Sequence, residues 1–250
     1  MAASLRGGLS LGLCGFSFWS HDIGGFSHPP SLELYRRWVP FGMLLSHSRC
    51  HGVPPREPWF YGQSFENEFR LSVELRYRLM PYLYAQSLDS CHQGHPLMRP
   101  LFFEYPNDLV SWLIEDEYLL GSNLLIAPLL EISLQRPVYL PPGEWIDYQS
   151  SVQYSGGQWH IIESGKIPCI ILVKSGTVLP ETSVVPSTQF IDWSHLNLNL
   201  YGSEHEFQGL IALPHRPHLH PIQIQWHQNQ WKIQKGHLSN VIYHIQKVAP

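Results

Sequence analysis

Three observations predict the fold class: short apolar runs alternate with helical patterns as far as residue 94, short β-prone runs broken by Pro and Gly pairs replace them after it, and Gly-rich turns follow the strand-like runs. Together they predict an α/β segment followed by an all-β one. Strand–helix–strand–helix feeding an all-β module has the form of the C-terminal part of a (β/α)8 barrel, about its last two βα units, followed by a β-sandwich. The expected divisions are 1–94 for the barrel part, 95–182 for a proximal β-sandwich and 183–250 for a partial distal β domain or divergent tail. Two strands cannot close a barrel, so the chain is expected to be part of something larger.

The elements follow in order. Met1 to Cys14 is rich in Leu and Gly, and Gly7, Gly8, Gly12 and Gly15 suit a packed αβ junction better than a signal peptide. Gly15–Trp19 is a candidate buried strand that ends at the turn Ser20-His-Asp-Ile-Gly-Gly-Phe26. Pro29 and Pro30 are expected to open a helix with Leu34, Trp38 and Phe41 on one face and a Glu33/Arg37 ion pair. Met43–His51 is a second candidate strand, stopped by Gly52 and Pro54-Pro55. A long helix capped by Ser64 should carry Phe65, Phe69, Val73, Leu79 and Leu83 inward and pair Glu66/Arg70 and Glu74/Arg78, with a kink at Pro81. Later, Leu124–Ala127, Pro137–Leu140, Trp159–Ile162 and Ile167–Val173 read as strands. Beyond about residue 183 the pattern loosens into a His- and Gln-rich β-prone tail.

Composition narrows the function classes. Hydrophobic residues make up 44% of the 250 and charged residues 14%, which supports a buried core and argues against disorder. The net charge is −4 and no Lys/Arg run interleaves with aromatics, so neither nucleic acid nor anionic lipid is an expected partner. Aromatics at 13% suit sugar stacking and ordinary packing alike. Cys14, Cys50, Cys91 and Cys169 lack Cys-x-x-Cys spacing, which signals no zinc or redox motif and favours a reducing, cytoplasmic setting.

In a barrel of this kind, reactive groups sit where strands end. His21-Asp22, with Phe26 beyond the double glycine, follows the first candidate strand, and Arg49 and His51 end the second. A carboxylate, an imidazole and an aromatic face can hold sugar hydroxyls and a ring. They equally suit an Asp22–arginine pair, a core histidine at His51 and plain packing at Phe26. A retaining glycosidase needs two carboxyl groups ~5–5.5 Å apart. Among the carboxylates before residue 95 only Asp22 sits at a strand exit, and Glu57, after a Pro-rich loop, stays open. His215-x-x-His218-x-His220 could bind metal, but the interspersed prolines favour an extended surface segment.

At these residues the chain resembles glycoside hydrolase family 31, in its α-xylosidase branch. The resemblance rests on Gly15-Phe-Ser-Phe-Trp-Ser-His-Asp-Ile-Gly-Gly-Phe26, Leu34-Tyr-Arg-Arg-Trp38, Ser46-His-Ser-Arg-Cys-His-Gly52, Arg76 to Tyr84, Pro96 to Pro100, Asp116 to Pro128, Tyr139 to Trp145 and Ile167-Pro168, and it fades after about residue 180. It implies retaining exo-cleavage of a terminal α-linked xylose or glucose, without a cofactor, on an oligosaccharide or xyloside substrate, and it allows homo-oligomers of the full-length parent. It implies that His51 contacts sugar hydroxyls, that Phe26 lines the same subsite and that Asp22 orders the polar network without being the catalyst. Both catalytic aspartates of the family belong to earlier strands, so no catalytic residue is assigned here, and this chain alone is expected to be inactive. Pro40 departs from the family pattern and should shorten its helix. Two other readings remain: a carbohydrate-binding module in which Trp145, Trp159 and Tyr139 stack sugars, and a remnant that does not fold alone.

Overall fold

The computed structural model describes residues 1–248. Its first part is helical: α1 (Ala2–Leu13), α2 (Leu32–Met43), α3 (Gln63–Arg78) and α4 (Met80–Gln93). Short elements follow, β1 (Met98–Arg99), α5 (Leu101–Glu104), β2 (Tyr118–Leu120) and β3 (Leu124–Pro128). The rest is β: β4 (Gln135–Leu140), β5 (Glu144–Asp147), β6 (Gln153–Ser155), β7 (Gln158–Glu163), β8 (Cys169–Lys174), β9 (Thr177–Glu181), β10 (His195–Tyr201), β11 (Glu206–Leu213), β12 (Arg216–His227), β13 (Gln230–Lys235) and β14 (Ile242–Val248).

Two candidate strands are not strands. Gly15 is a turn residue at positive φ and residues 16–21 form no ladder, α2 occupies Met43, and the only β-bridge between the two segments among the described residues is the parallel one joining Asp22 and Arg49. A side chain takes the place of the missing ladder. The Trp19 amide donates to Ser46 Oγ at 2.9 Å, and that hydroxyl donates back to the Trp19 carbonyl at 2.5 Å. The Ile23 amide reaches Arg49 O at 3.1 Å, and the Val53 amide reaches Phe26 O at 2.9 Å. The described residues therefore hold two parallel segments with helices packed on them and no closed barrel.

The helices also differ from expectation at their ends. Ser31 caps α2 through its hydroxyl, which accepts from the Leu34 amide, and Pro30 lies outside the helix. Glu33 pairs with Arg36 rather than Arg37, while Arg37 turns inward and donates to the Glu33 and Leu129 carbonyls. Pro40 does not shorten α2. The last turn is held from outside, because Arg76 donates to the carbonyls of Met43, Leu45 and Ser46 at 2.7 to 2.9 Å, and Ser48 Oγ donates to Gly42 O. A cation at a helix C-terminus also complements its dipole. Gly62, not Ser64, stands at the N-cap of α3, following the 3-10 turn Pro58–Tyr61. The expected kink is a break at Leu79, with Pro81 in the first turn of α4, where its missing N–H costs no hydrogen bond. Glu66/Arg70 pairs at 3.0 Å, and no ion pair joins Glu74 to Arg78 among the described residues.

α1 meets the first extended segment through a glycine. A Cβ at Gly8 would lie 1.6 Å from the Trp19 indole, so only glycine admits that ring against the helix.

A six-stranded sheet, order β1-β2-β3-β8-β5-β6, lies between the helices and the ribbon β4-β7. Its central strands are buried on both faces, which is why Leu124–Ala127 and Cys169–Val173 read as unbroken apolar runs. Leu124, Ile126, Ile171 and Val173 pack with the helices, and Leu125, Ala127, Ile170 and Leu172 pack toward the ribbon with Val138, Leu140 and Trp145.

The polar tail folds. Beyond residue 183, β10 to β14 join β9 in a second six-stranded sheet, order β13-β12-β11-β9-β10-β14, with its own core of Leu196, Leu198, Phe207, Ile222 and Ile224. Alternation hides it in the sequence, since each strand buries only every second residue. The two sheets meet at β9, which follows β8 directly through Ser175-Gly176.

Candidate functional site

The two parallel segments exit side by side, and their loops bring the sequence-predicted residues together. Asp22 Oδ1 lies 2.6 Å from the Arg49 guanidinium. Beyond the Gly24-Gly25 turn, where both residues take positive φ, the Phe26 ring sits 5.6 Å from the His51 ring at a tilt of 47°. Phe26 is 50% exposed, and His51 is exposed without a hydrogen bond to the chain among the described residues. The core-histidine reading of His51 therefore fails, and the Asp22–arginine pair is present.

Behind this surface lies a supporting layer that includes residues missed from the sequence. Arg56 is buried, and its Nη2 donates to Gly25 O at 2.6 Å and His28 O at 2.7 Å, while Nη1 donates to Pro54 O at 3.2 Å. One guanidinium thus ties the Phe26 loop to the His51 loop. The signal was an arginine beside a Pro-Pro pair, with no helical carboxylate to claim it. Tyr35, buried in α2, donates its hydroxyl to Arg56 O at 2.7 Å, and burial raises its phenol well above the usual range. Burial likewise raises the neighbouring Cys50 thiol.

His21 points away from the surface. Its Nδ1 accepts from the Trp38 indole N–H at 3.2 Å, which places any ring proton on Nε2, a buried atom with no partner. Burial lowers its pKa to about 4. His21 is a neutral acceptor that fixes α2 against the segment, and not a group that contacts ligand.

An exposed aromatic face, a free imidazole and an ion-paired carboxylate can hold a sugar ring and its hydroxyls. The same set offers a single carboxylate where double displacement requires two. Glu57, on the adjoining loop, has Oε2 buried without a hydrogen-bond partner, and no ion pair or hydrogen bond links it to Asp22 or His51 among the described residues.

In the β region, Trp145 is 0% exposed and donates its indole N–H to Pro141 O, and Tyr139 is 2% exposed, so neither can stack a sugar. Trp159 remains exposed beside Tyr139. His215, His218 and His220 fall on and just before β12, and no group of three metal-ligating side chains comes together among the described residues. All four cysteines are free. No helix is long and apolar enough to cross a membrane among the described residues.

Known proteins match this architecture. A family model described as the glycosyl hydrolases family 31 TIM-barrel domain matches residues 1–86, and the family 31 C-terminal domain matches residues 94–179. The chain is similar to an α-xylosidase of Emericella nidulans, 44% identical over 189 residues that make up 72% of this chain and 24% of the relative. It is 37% identical to an α-glucosidase of Bacillus thermoamyloliquefaciens over 77% of this chain and 25% of that one. Among solved structures, a family 31 dextranase of Flavobacterium johnsoniae complexed with glucose superposes with a TM-score of 0.82 at 29% identity, covering 93% of this chain and 31% of that chain. A family 31 α-xylosidase of Xanthomonas citri superposes at 0.85 over 99% of this chain and 30% of that chain, and at 24% identity the likeness is one of fold. The chain spans about a quarter of the length of the curated relatives it matches.

Proposed function

Since the chain belongs to glycoside hydrolase family 31, we propose that it supplies the last barrel loops and the β-sandwich of a retaining α-glycosidase acting on terminal α-xylose. The reading rests on one observation: Phe26 and His51 present a free aromatic face and a free imidazole side by side, backed by the Asp22–Arg49 pair. In this role Phe26 packs against the sugar ring, His51 bonds a hydroxyl, and Asp22 and Arg49 hold the two loops in register. The two carboxyl groups of the double displacement come from outside these residues. The α-xylosidase relative at 44% favours xylose, and the α-glucosidase at 37% keeps glucose as the second reading.

A chimera tests this. This chain replaces the matching C-terminal quarter of the Emericella nidulans α-xylosidase, and hydrolysis of p-nitrophenyl α-xyloside and α-glucoside is measured. The expected result is hydrolysis with the xyloside preferred, and about fivefold loss of kcat/KM in His51→Ala, the equivalent of one hydrogen bond of about 1 kcal/mol. A folded chimera that cleaves neither substrate overturns the proposal. The chain by itself is expected to turn over neither.

A further inference from the structure

The distal sheet carries a cavity that the Phe26–His51 site does not use. Along β12, Ile222 and Ile224 face the core, and the same face ends in Trp226. Trp226 pairs across strands with Trp231, their rings 4.9 Å apart at 63°, and Trp231 in turn packs edge-on against Phe207. A core normally ends under a covering loop. Here the Trp226 amide holds the end of the β10–β11 turn through His205 O at 3.1 Å, yet the Trp226 ring stays 45% exposed and a cavity of about 270 Å³ opens between the turn and the indoles.

Polar groups ring its mouth. Ser203, Glu204 and His205 come from the turn and Lys247 from β14. The side chains of Ser203, His205 and Lys247 make no hydrogen bond or ion pair among the described residues. Glu204 spends Oε1 on the Ser175 hydroxyl at 2.5 Å, which fixes its place in the wall. An apolar, aromatic floor with unspent donors at its rim matches a pyranose, which has an apolar C–H face and a ring of hydroxyls. The volume lies just below the ~300–1,000 Å³ of ligand pockets, so it suits one sugar ring and not an oligosaccharide lying flat.

We propose that the Trp226–Trp231 cavity is an accessory carbohydrate site that binds a single pyranose unit of a neutral glycan, apart from the loops that carry Phe26 and His51. The choice of a glycan rests on the glycosidase reading above. The site would hold a second part of the same chain of sugars and raise its local concentration.

The test is titration of the full chain with xylose, glucose and isomaltotriose, followed by calorimetry and tryptophan fluorescence. Saturable millimolar binding is expected, with a change in indole emission. Trp226→Ala should abolish the emission change and weaken the binding that it reports at least tenfold, and Trp226→Phe should retain part of that binding. Ser203→Trp, a change at an exposed rim position, should block the cavity without touching the core and serves if Trp226→Ala does not fold. An emission change on sugar binding that survives both Trp226→Ala and Ser203→Trp overturns the proposal, as does absence of binding to all three sugars. Binding lost only in His51→Ala overturns it too and leaves the glycosidase reading standing. An inactive chimera with intact Trp226-dependent binding would reject the glycosidase reading alone.

Discussion

Arg56 reaches Gly25 O at 2.6 Å from the other loop and, with the Val53 amide on Phe26 O at 2.9 Å, ties the loop of Phe26 to that of His51. Arg56 also donates to His28 O and Pro54 O, so its loss strands several carbonyls at once. Buried polar groups left without partners cost about 1–3 kcal/mol each. Arg56→Met should therefore lower stability by about 2–4 kcal/mol in chemical denaturation and make the 25–30 loop a site of early proteolysis. Unchanged denaturation and unchanged cleavage would remove Arg56 from its assigned role.

Asp22 and Arg49 make a different case. Their contact at 2.6 Å is half open to water on the arginine side, so it adds little to stability, about 0–1 kcal/mol. It stands at the one β-bridge between the segments among the described residues, where the Ile23 amide also reaches Arg49 O, so its role is alignment of the two exits. Arg49→Met should keep the melting temperature nearly constant while raising the chimera's KM for p-nitrophenyl α-xyloside several-fold. A large loss of stability with normal sugar affinity would show that the pair is a strut and not an aligner.

Legibility differed along the chain for physical reasons. Strands buried on both faces, such as Cys169–Val173, announce themselves as apolar runs, and the site motif stands at the segment ends where strand-exit logic places it. Gly15–Trp19 looks equally strand-like, but a strand exists only with a neighbour, and Ser46 supplies a hydroxyl where a ladder would need a backbone. The distal sheet was legible only as a β-prone tail or partial β domain, because residues such as Gln223 and Gln225 alternate with Ile222 and Ile224, and three glutamines share the Glu206 carboxylate. Arg37, Arg56 and Arg76 all spend their charge on backbone carbonyls. No spacing rule for ion pairs finds such a role.

Two neighbouring glycines offer a matched test of helix packing. Gly8 faces the Trp19 indole with no room for a methyl group, whereas Gly7, one residue away on α1, has nothing within 4 Å of the point a methyl group would occupy. Gly8→Ala should displace Trp19 and cost about 1–3 kcal/mol or more through overpacking. Gly7→Ala should gain about 0.5–1 kcal/mol from helix propensity. Thermal denaturation of the pair reads both signs, and equal shifts would mean that α1 is not seated against Trp19.

The pH dependence of stability separates two buried groups. Burial depresses His21 to about 4, so the unfolded chain takes up a proton near 6.5 before the folded one does. Its contribution is complete above pH 6.5 and is lost as pH falls toward 4. Glu117 runs the other way: 0% exposed, with its Oε1 accepting the Tyr139 amide at 2.9 Å, it is pushed up by burial to about 8. There the folded chain keeps its proton while the unfolded chain has released it, so stability is complete below pH 4.5 and falls as pH rises through 8. The windows overlap between 4.5 and 6.5, but each variant isolates its own limb. His21→Gln, which preserves an acceptor for Trp38, should flatten the decline below pH 6.5 by about 1–3 kcal/mol. Glu117→Gln should gain progressively on the parent from pH 6.5 to 8, by a similar order. A Glu117→Gln chain that tracks the parent across that interval would mean that Arg136, 3.5 Å away, holds the carboxylate charged in the fold.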